Sequence, residues 1–305
     1  MRTTAASLGL PIEYEPCLVE EALVLAIRGH APEPQFRDER DRIYEHEELE
    51  QRDATFQDLH ARWFDALGLD APLIQALGEQ QTLVRGTRLC RVVSAKARGK
   101  EGADLYVRPD GSLIDARERH AILIRLVPTT FLDPQGLLGL LRHELLHIAD
   151  MLDPAFGYEP TLECSGIDPS LETLVRNRYR ALWNATVGGR LQRLGRARSR
   201  TRERCLADFL SVFPIPADEV EAAFACWFDT PDHTHAELVA YARDPGVGST
   251  RCPLCRASAF GLGRVQLDAA VVDAIRRDFV DWRPELGVCR QCADLYGSRL
   301  RAHRE

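Results

Sequence analysis

The string His143-Glu144-Leu145-Leu146-His147 has residue types and a spacing that could do chemistry. Two histidines four residues apart fall on one face of a helix, so both imidazoles can address one metal ion. A glutamate directly after the first histidine stands beside that metal and can take a proton from a bound water. Zinc lowers the pKa of such a water toward ~7, which supplies hydroxide at neutral pH. The chemistry implied is hydrolysis, with His143 and His147 as ligands and Glu144 as general base. The flanking residues are apolar nearly all round: Leu137, Leu138, Leu140, Leu141, Leu145, Leu146, Ile148, Ala149, Met151 and Leu152. Such a helix is buried, and two imidazoles and a carboxylate within it are costly unless paired or metal-bound. The alternative is a core helix whose histidines are satisfied by neighbouring carbonyls.

A second constellation is Cys252-x-x-Cys255 with Cys289-x-x-Cys292. Two such pairs make a four-thiolate tetrahedral set, each pair a knuckle turning around the ion. The 33 residues between the pairs exceed a simple ribbon. LDAAVVDAIRRDFVDW fits there as an amphipathic helix, and the second knuckle leads straight into another helix. That order predicts a treble-clef or ribbon-like structural zinc finger. A redox C-x-x-C would sit alone at a helix start after a strand, so two pairs favour metal. Cys17, Cys90, Cys164, Cys205 and Cys226 are scattered in apolar surroundings and read as buried thiols.

The elements that must position these residues follow from pattern. Residues 1–35 read as irregular. Residues 38–79 read as helices, with Gly68 as a stop. LVRGTRLCRVVSA, ADLYVR and AILIRLV predict a small sheet over roughly 83–127, with Pro109-Asp110-Gly111 as a turn. Asp133-Pro134 caps and opens the helix carrying HELLH, which should end before Pro154. Asp168-Pro169 opens another helix, which must tolerate or break at Gly188-Gly189. Residues 205–243 are helical, with Thr234-x-x-Glu237 as a capping box. The expected fold is α+β and mostly helical: a small sheet packed on the HELLH helix, plus the finger. The expected segments are an N-terminal helical region (1–82), a catalytic core (83–204), a helical connector (205–248) and a zinc-binding domain (249–305).

At 305 residues, 45% hydrophobic and 28% charged, the chain can bury a core. The net charge of −7 argues against a general nucleic-acid coat. No apolar run approaches the ~18 residues of a membrane span, and the first residues lack a signal-peptide core, so a cytoplasmic location is expected. Of 39 basic residues only Lys96 and Lys100 are lysines. RLQRLGRARSRTRER (190–204) carries Arg190, Arg193, Arg196, Arg198, Arg200, Arg202 and Arg204, a run that could track phosphates. It lacks the aromatics of a stacking surface, and a solvated face is the plainer reading. His233 and His235 do not share a helix face and read as surface residues.

The strand-to-helix run of about 83–153, with HELLH, resembles the zincin metallopeptidases. The resemblance implies a peptide or protein substrate, zinc at His143 and His147, and catalysis by Glu144. It also makes AILIRLV the edge strand, able to hold an extended peptide by main-chain hydrogen bonds. The metzincin pattern does not fit: Asp150 and Asp153 stand where it needs a glycine and a ligand, and the only methionines are Met1 and Met151. The gluzincin pattern puts a glutamate on the next helix, which selects Glu172; Glu159 and Glu163 in the connecting loop are its rivals. Asp150 is expected to support a ligand rather than be one. LWNATVGG resembles a W-N-x-A-x-D helix of other H-E-x-x-H proteins, aligning Asn184 and putting Gly188 at the aspartate; ordinary helix packing is the competing account. An H-E-x-x-H domain before a four-cysteine finger is similar in organisation to SprT-like proteases. Those carry a third histidine soon after the motif, and here none lies between His147 and His233. The expectation is therefore a metallopeptidase with one catalytic and one structural zinc. The alternative is a zinc-binding interaction or regulatory protein, with nucleic acid as a partner, on a weakly active or inactive zincin scaffold.

Overall fold

The computed structural model describes all residues except 1, 5–7, 47–48, 109–115, 162–168, 214, 217, 246–249, 257, 260–266 and 303–305. It forms two compact units, 1–158 with 191–199, and 159–190 with 200–305. The fold is α+β and mostly helical, as the patterns predict.

The first unit holds β1 (Arg2–Thr4), β2 (Pro11–Tyr14), α1 (Pro16–Ile27), α2 (Glu33–His46), α3 (Leu49–Ala66), α4 (Ala71–Gly78) and α5 (Gln81–Gly86). Then come β3 (Leu89–Ser94), β4 (Gly102–Val107), α6 (Ala116–Arg119), β5 (His120–Leu126), a 3-10 turn (Pro128–Leu132) and α7 (Pro134–Leu152). The five strands form one mixed sheet in the order β1-β2-β3-β5-β4. The β2–β3 and β3–β5 pairs are parallel, and β1–β2 and β4–β5 are antiparallel. Residues 1–35 are therefore not irregular. Pro11–Tyr14 alternates exposed and buried positions and pairs with β3; four residues were too few for the alternation to stand out. Leu83–Gly86 forms a helical turn, and the strand begins only at Leu89. The turn expected at Pro109-Asp110-Gly111 lies outside the described residues.

AILIRLV does not lie at the sheet edge. β5 is flanked by β3 and β4, and β4 and β1 are the two edge strands. The buried positions of β5 (Ala121, Ile122, Ile124, Leu126) explain this: an apolar strand belongs inside, whereas GADLYV is largely exposed. Asp104 on β4 pairs with Arg125 on β5.

α7 begins as its sequence directs. The Asp133 carboxylate accepts the Gly136 N–H at 2.9 Å, with Pro134 in the first turn, and the helix stops before Pro154. Leu137, Leu138, Leu141, Leu145 and Ile148 enter a core shared with Ile12, Val92, Ile122 and Ile124. Arg142 forks onto Glu79 through Nε (2.9 Å) and a terminal nitrogen (2.6 Å), joining α7 to the end of α4. Burial raises the Glu79 carboxyl, but Arg142, Gln75 and Arg196 outweigh it and hold it below the usual range.

The second unit contains most of α8 (Pro169–Arg193), then α9 (Thr201–Val212), α10 (Val220–Phe228) and α11 (His235–Arg243). A hairpin of β6 (Thr250–Arg251) and β7 (Ser258–Ala259) follows, then α12 (Ala269–Asp278) and α13 (Arg290–Ala302). α8 passes unbroken through Gly188-Gly189. The capping box of α11 is present: Thr234 and Glu237 each accept the other's backbone N–H. His235 is not a surface residue. It is buried, and its Nδ1 lies 2.7 Å from the Tyr179 hydroxyl. His233 is half-buried against Trp227.

Candidate metal centres

The four cysteines converge. Their sulfurs all lie within 4.8 Å of one another. Cys252 Sγ is 3.8 Å from Cys292 Sγ, and Cys255 Sγ is 3.7 Å from Cys289 Sγ. A tetrahedron of Zn–S bonds of ~2.3 Å has edges of ~3.8 Å, so the spacing suits one ion held by four thiolates. Backbone amides assist: Cys289 N–H points at Cys252 Sγ and Cys292 N–H at Cys289 Sγ, each at 3.4 Å. Burial raises the Cys252 thiol, but the N–H groups of Cys255, Cys289 and Leu254 outweigh it and bring it down to about 7. Burial pushes the Cys289 and Cys292 thiols up. Four thiols gathered at this spacing are favourable once a cation offsets their charge, and the soft sulfur set fits zinc. The centre sits in its own small core of Val271, Ile275, Trp282, Val288 and Tyr296. The knuckle at 252–255 lies in the hairpin connection, and that at 289–292 opens α13, an arrangement that fits a zinc finger.

HELLH lies on α7 as the spacing requires. The rings of His143 and His147 are 4.8 Å apart, edge to face. His143 Nδ1 lies 3.1 Å from Glu144 Oε1, and both side chains are partly open, 29% and 26% exposed. Ala103 N–H on β4 donates to Glu144 Oε2 at 3.4 Å. A Cβ on Gly102 would come within 3.2 Å of that oxygen, so the glycine lets the carboxylate lie against the strand. Because Ala103 N–H turns away from β5, alternation along the strand turns Leu105 and Val107 N–H outward as well. The Glu144 carboxylate therefore stands at the start of a strand edge that is unpaired among the described residues, on β4 rather than on the strand that the zincin resemblance implies.

Among the described residues, the cysteines are the one group of three or more potential ligand side chains with ligand atoms so gathered. Glu172 belongs to the second unit, and its carboxylate accepts from Arg176 one turn on, at 2.6 Å. Glu159 is exposed, and Glu163 lies outside the described residues. Asp150 is buried on α7. Asn184 is half-buried, with its main-chain oxygen facing the Cys205 thiol at 3.5 Å.

Gly188 answers the W-N-x-A-x-D resemblance. A Cβ there would lie 2.8 Å from Cys205 Sγ, 3.2 Å from Thr201 Cγ2 and 3.3 Å from Phe228 Cε2. The position is buried where α8 meets α9 and α10, with no room for an aspartate, and Trp183 packs on Tyr179. The five other thiols divide: Cys90 and Cys205 are buried as expected, Cys17 and Cys226 are exposed, and Cys164 lies outside the described residues. No helix among the described residues is long and apolar enough to cross a membrane. No family model matches the chain, and no curated protein and no solved structure matches it either.

Proposed function

We propose that the chain is a zinc-dependent metallopeptidase of zincin type, with a structural zinc in its four-cysteine domain. The observation that carries this reading is the Glu144 carboxylate beside the open edge of β4, on the helix that presents His143 and His147 together. An extended peptide added to that edge would bond the outward main-chain groups of Ala103, Leu105 and Val107, which brings a peptide carbonyl toward Glu144. The His143 Nδ1 contact with Glu144 leaves Nε2 to hold a metal. Zinc held at His143 and His147 would supply a polarised water and a Lewis acid. Glu144 would be the group placed to take a proton there and return it to the leaving amine. Glu172, the third ligand that the gluzincin resemblance implies, pairs with Arg176 within the second unit.

The test is Glu144→Gln, with zinc content and cleavage of a fluorogenic peptide library measured together. The variant should keep about two zinc ions per chain, one per site, and lose cleavage. Equal cleavage by variant and wild type assigns the chemistry elsewhere. About one zinc, lost entirely when all four cysteines become serine, removes the HELLH site. The gathering of no third ligand among the described residues favours a second reading, a zinc-binding interaction protein on an inactive scaffold. It predicts one zinc and no cleavage. The arginine run gives that reading's nucleic-acid partner little support. Arg196 is 3.6 Å from Glu79, Arg200 pairs with Glu203, and Arg202 pairs with Glu221 and Asp229 while lying over Phe224 and Phe228.

A further inference from the structure

A cleft of about 690 Å³ opens between α1, α2 and α3, in the first unit. Its floor includes His60, which is only 8% exposed. The imidazole stacks on Phe56 (centroids 6.2 Å, 25°) and tilts toward Phe36 (6.1 Å, 39°). It has no hydrogen bond to any described residue. Burial lowers its pKa, Glu20 raises it and Arg40 lowers it, so the ring is neutral at pH 7 and keeps one donor and one acceptor. What remains accessible of His60 opens on the cleft, where its ring nitrogens can meet a ligand.

The charged groups of the cleft are unequally committed. Arg40 is held by Asp41 at 2.9 Å. Arg52 donates to the Tyr44 main-chain oxygen at 2.8 Å and lies over the Tyr44 ring at 6.0 Å. Glu20 and Asp53, both exposed, make no hydrogen bond or ion pair with a described residue. The uncommitted charge is therefore negative, beside the Tyr44 ring, which takes Arg52 and packs on Phe56 yet stays 56% exposed.

We propose that this cleft binds a small organic cation of the guanidinium class. The flat cation lies against the exposed part of the Tyr44 ring, Glu20 and Asp53 offset its charge, and the His60 acceptor nitrogen receives one of its N–H groups. The site does not depend on HELLH or on either zinc.

Cys17 lines the same cleft and is exposed, and Cys226 is exposed in the other unit. Alkylation by iodoacetamide, resolved by peptide mass spectrometry on the full chain, therefore reads occupancy with an internal control. The probes are butylguanidinium and its neutral isostere butylurea, with AMP as a planar anion. A ligand of this size should bind with a Kd on the order of 1 mM. At roughly ten times that concentration butylguanidinium should slow Cys17 alkylation about tenfold and leave Cys226 unchanged. Butylurea and AMP should do neither, and Glu20→Gln with Asp53→Asn should abolish the protection. Absence of protection overturns the proposal. So does equal protection by butylurea, protection by AMP, or protection that survives in the double variant.

Discussion

Gly188→Ala separates a packing glycine from a vacated ligand position. An added Cβ would stand 2.8 Å from Cys205 Sγ, 3.2 Å from Thr201 Cγ2 and 3.3 Å from Phe228 Cε2. Relaxed contacts need ~3.5–4.0 Å, so the sulfur must retreat by roughly 0.7 Å or more. It has little freedom to do so, being 7% exposed and turned toward the Asn184 carbonyl. Overpacking of this kind costs ~1–3 kcal/mol. Alanine returns ~0.8–1.0 kcal/mol of helix propensity in the middle of α8. The difference leaves the variant about 1 kcal/mol less stable, within a range of roughly 0–2 kcal/mol. Gly188→Asp adds a buried carboxylate and should prevent this unit from folding. Urea unfolding followed by tryptophan fluorescence is the assay, since Trp183 and Trp227 both lie in the second unit. Cys205→Ala in the Gly188→Ala background removes the closest atom and should recover part of the loss, with a coupling of ~0.5–3 kcal/mol. A Gly188→Ala midpoint above wild type would refute the packing argument, because propensity would then act alone. So would a folded Gly188→Asp protein.

Further outcomes follow from the thiols and the buried histidines. Zinc at the four cysteines should be released as pH falls, because protons compete for the thiolates; metal content after dialysis across a pH series reads this. Cys292→Ser should lower the zinc count by one and leave the first unit's unfolding unchanged. In the native protein iodoacetamide should label Cys17 and Cys226 but spare Cys90, pushed up to about 12 by burial, and Cys205, pushed up to about 11 chiefly by burial. Burial holds the folded pKa of both His60 and His235 below 6.5. The unfolded chain takes those protons first, so stability is lost as pH falls from about 6.5 through the lowered folded values. His60→Gln should flatten that acid limb; an unchanged limb would assign the loss to other groups.

Local chemistry made much of this legible. The α7 cap, the stop before Pro154, the Thr234 box and the knuckle spacing all depend on residues a few positions apart, and each appears as expected. What failed depends on partners distant in sequence. β2 is four residues long, and its strand character comes from pairing with β3 nearly eighty positions later. The zincin resemblance makes AILIRLV an edge, yet its apolar residues belong in the sheet interior. His235 reads as surface because it shares no helix face with His233, and its bond to the Tyr179 hydroxyl, 56 positions away, is invisible to that spacing.

The arginine run shows the same limit at the level of function. Counted along the chain, seven arginines in fifteen residues form a basic tract fit for phosphates. In the fold three of the seven are engaged by carboxylates and rings: Arg196 near Glu79, Arg202 between Glu221 and Asp229 and over two phenylalanines, Arg200 beside Glu203. A guanidinium held by a fork of carboxylates must give up those bonds before it can take a phosphate, and charge-assisted bonds of this kind are the strong ones. The same argument applies to Glu172. Its pair with Arg176 is half exposed and i,i+4, a class worth only ~0.3–0.5 kcal/mol, which a zinc ion would readily outbid. The fork therefore withholds Arg202 from phosphate, whereas the exposed Arg200–Glu203 pair, like Glu172–Arg176, yields at little cost.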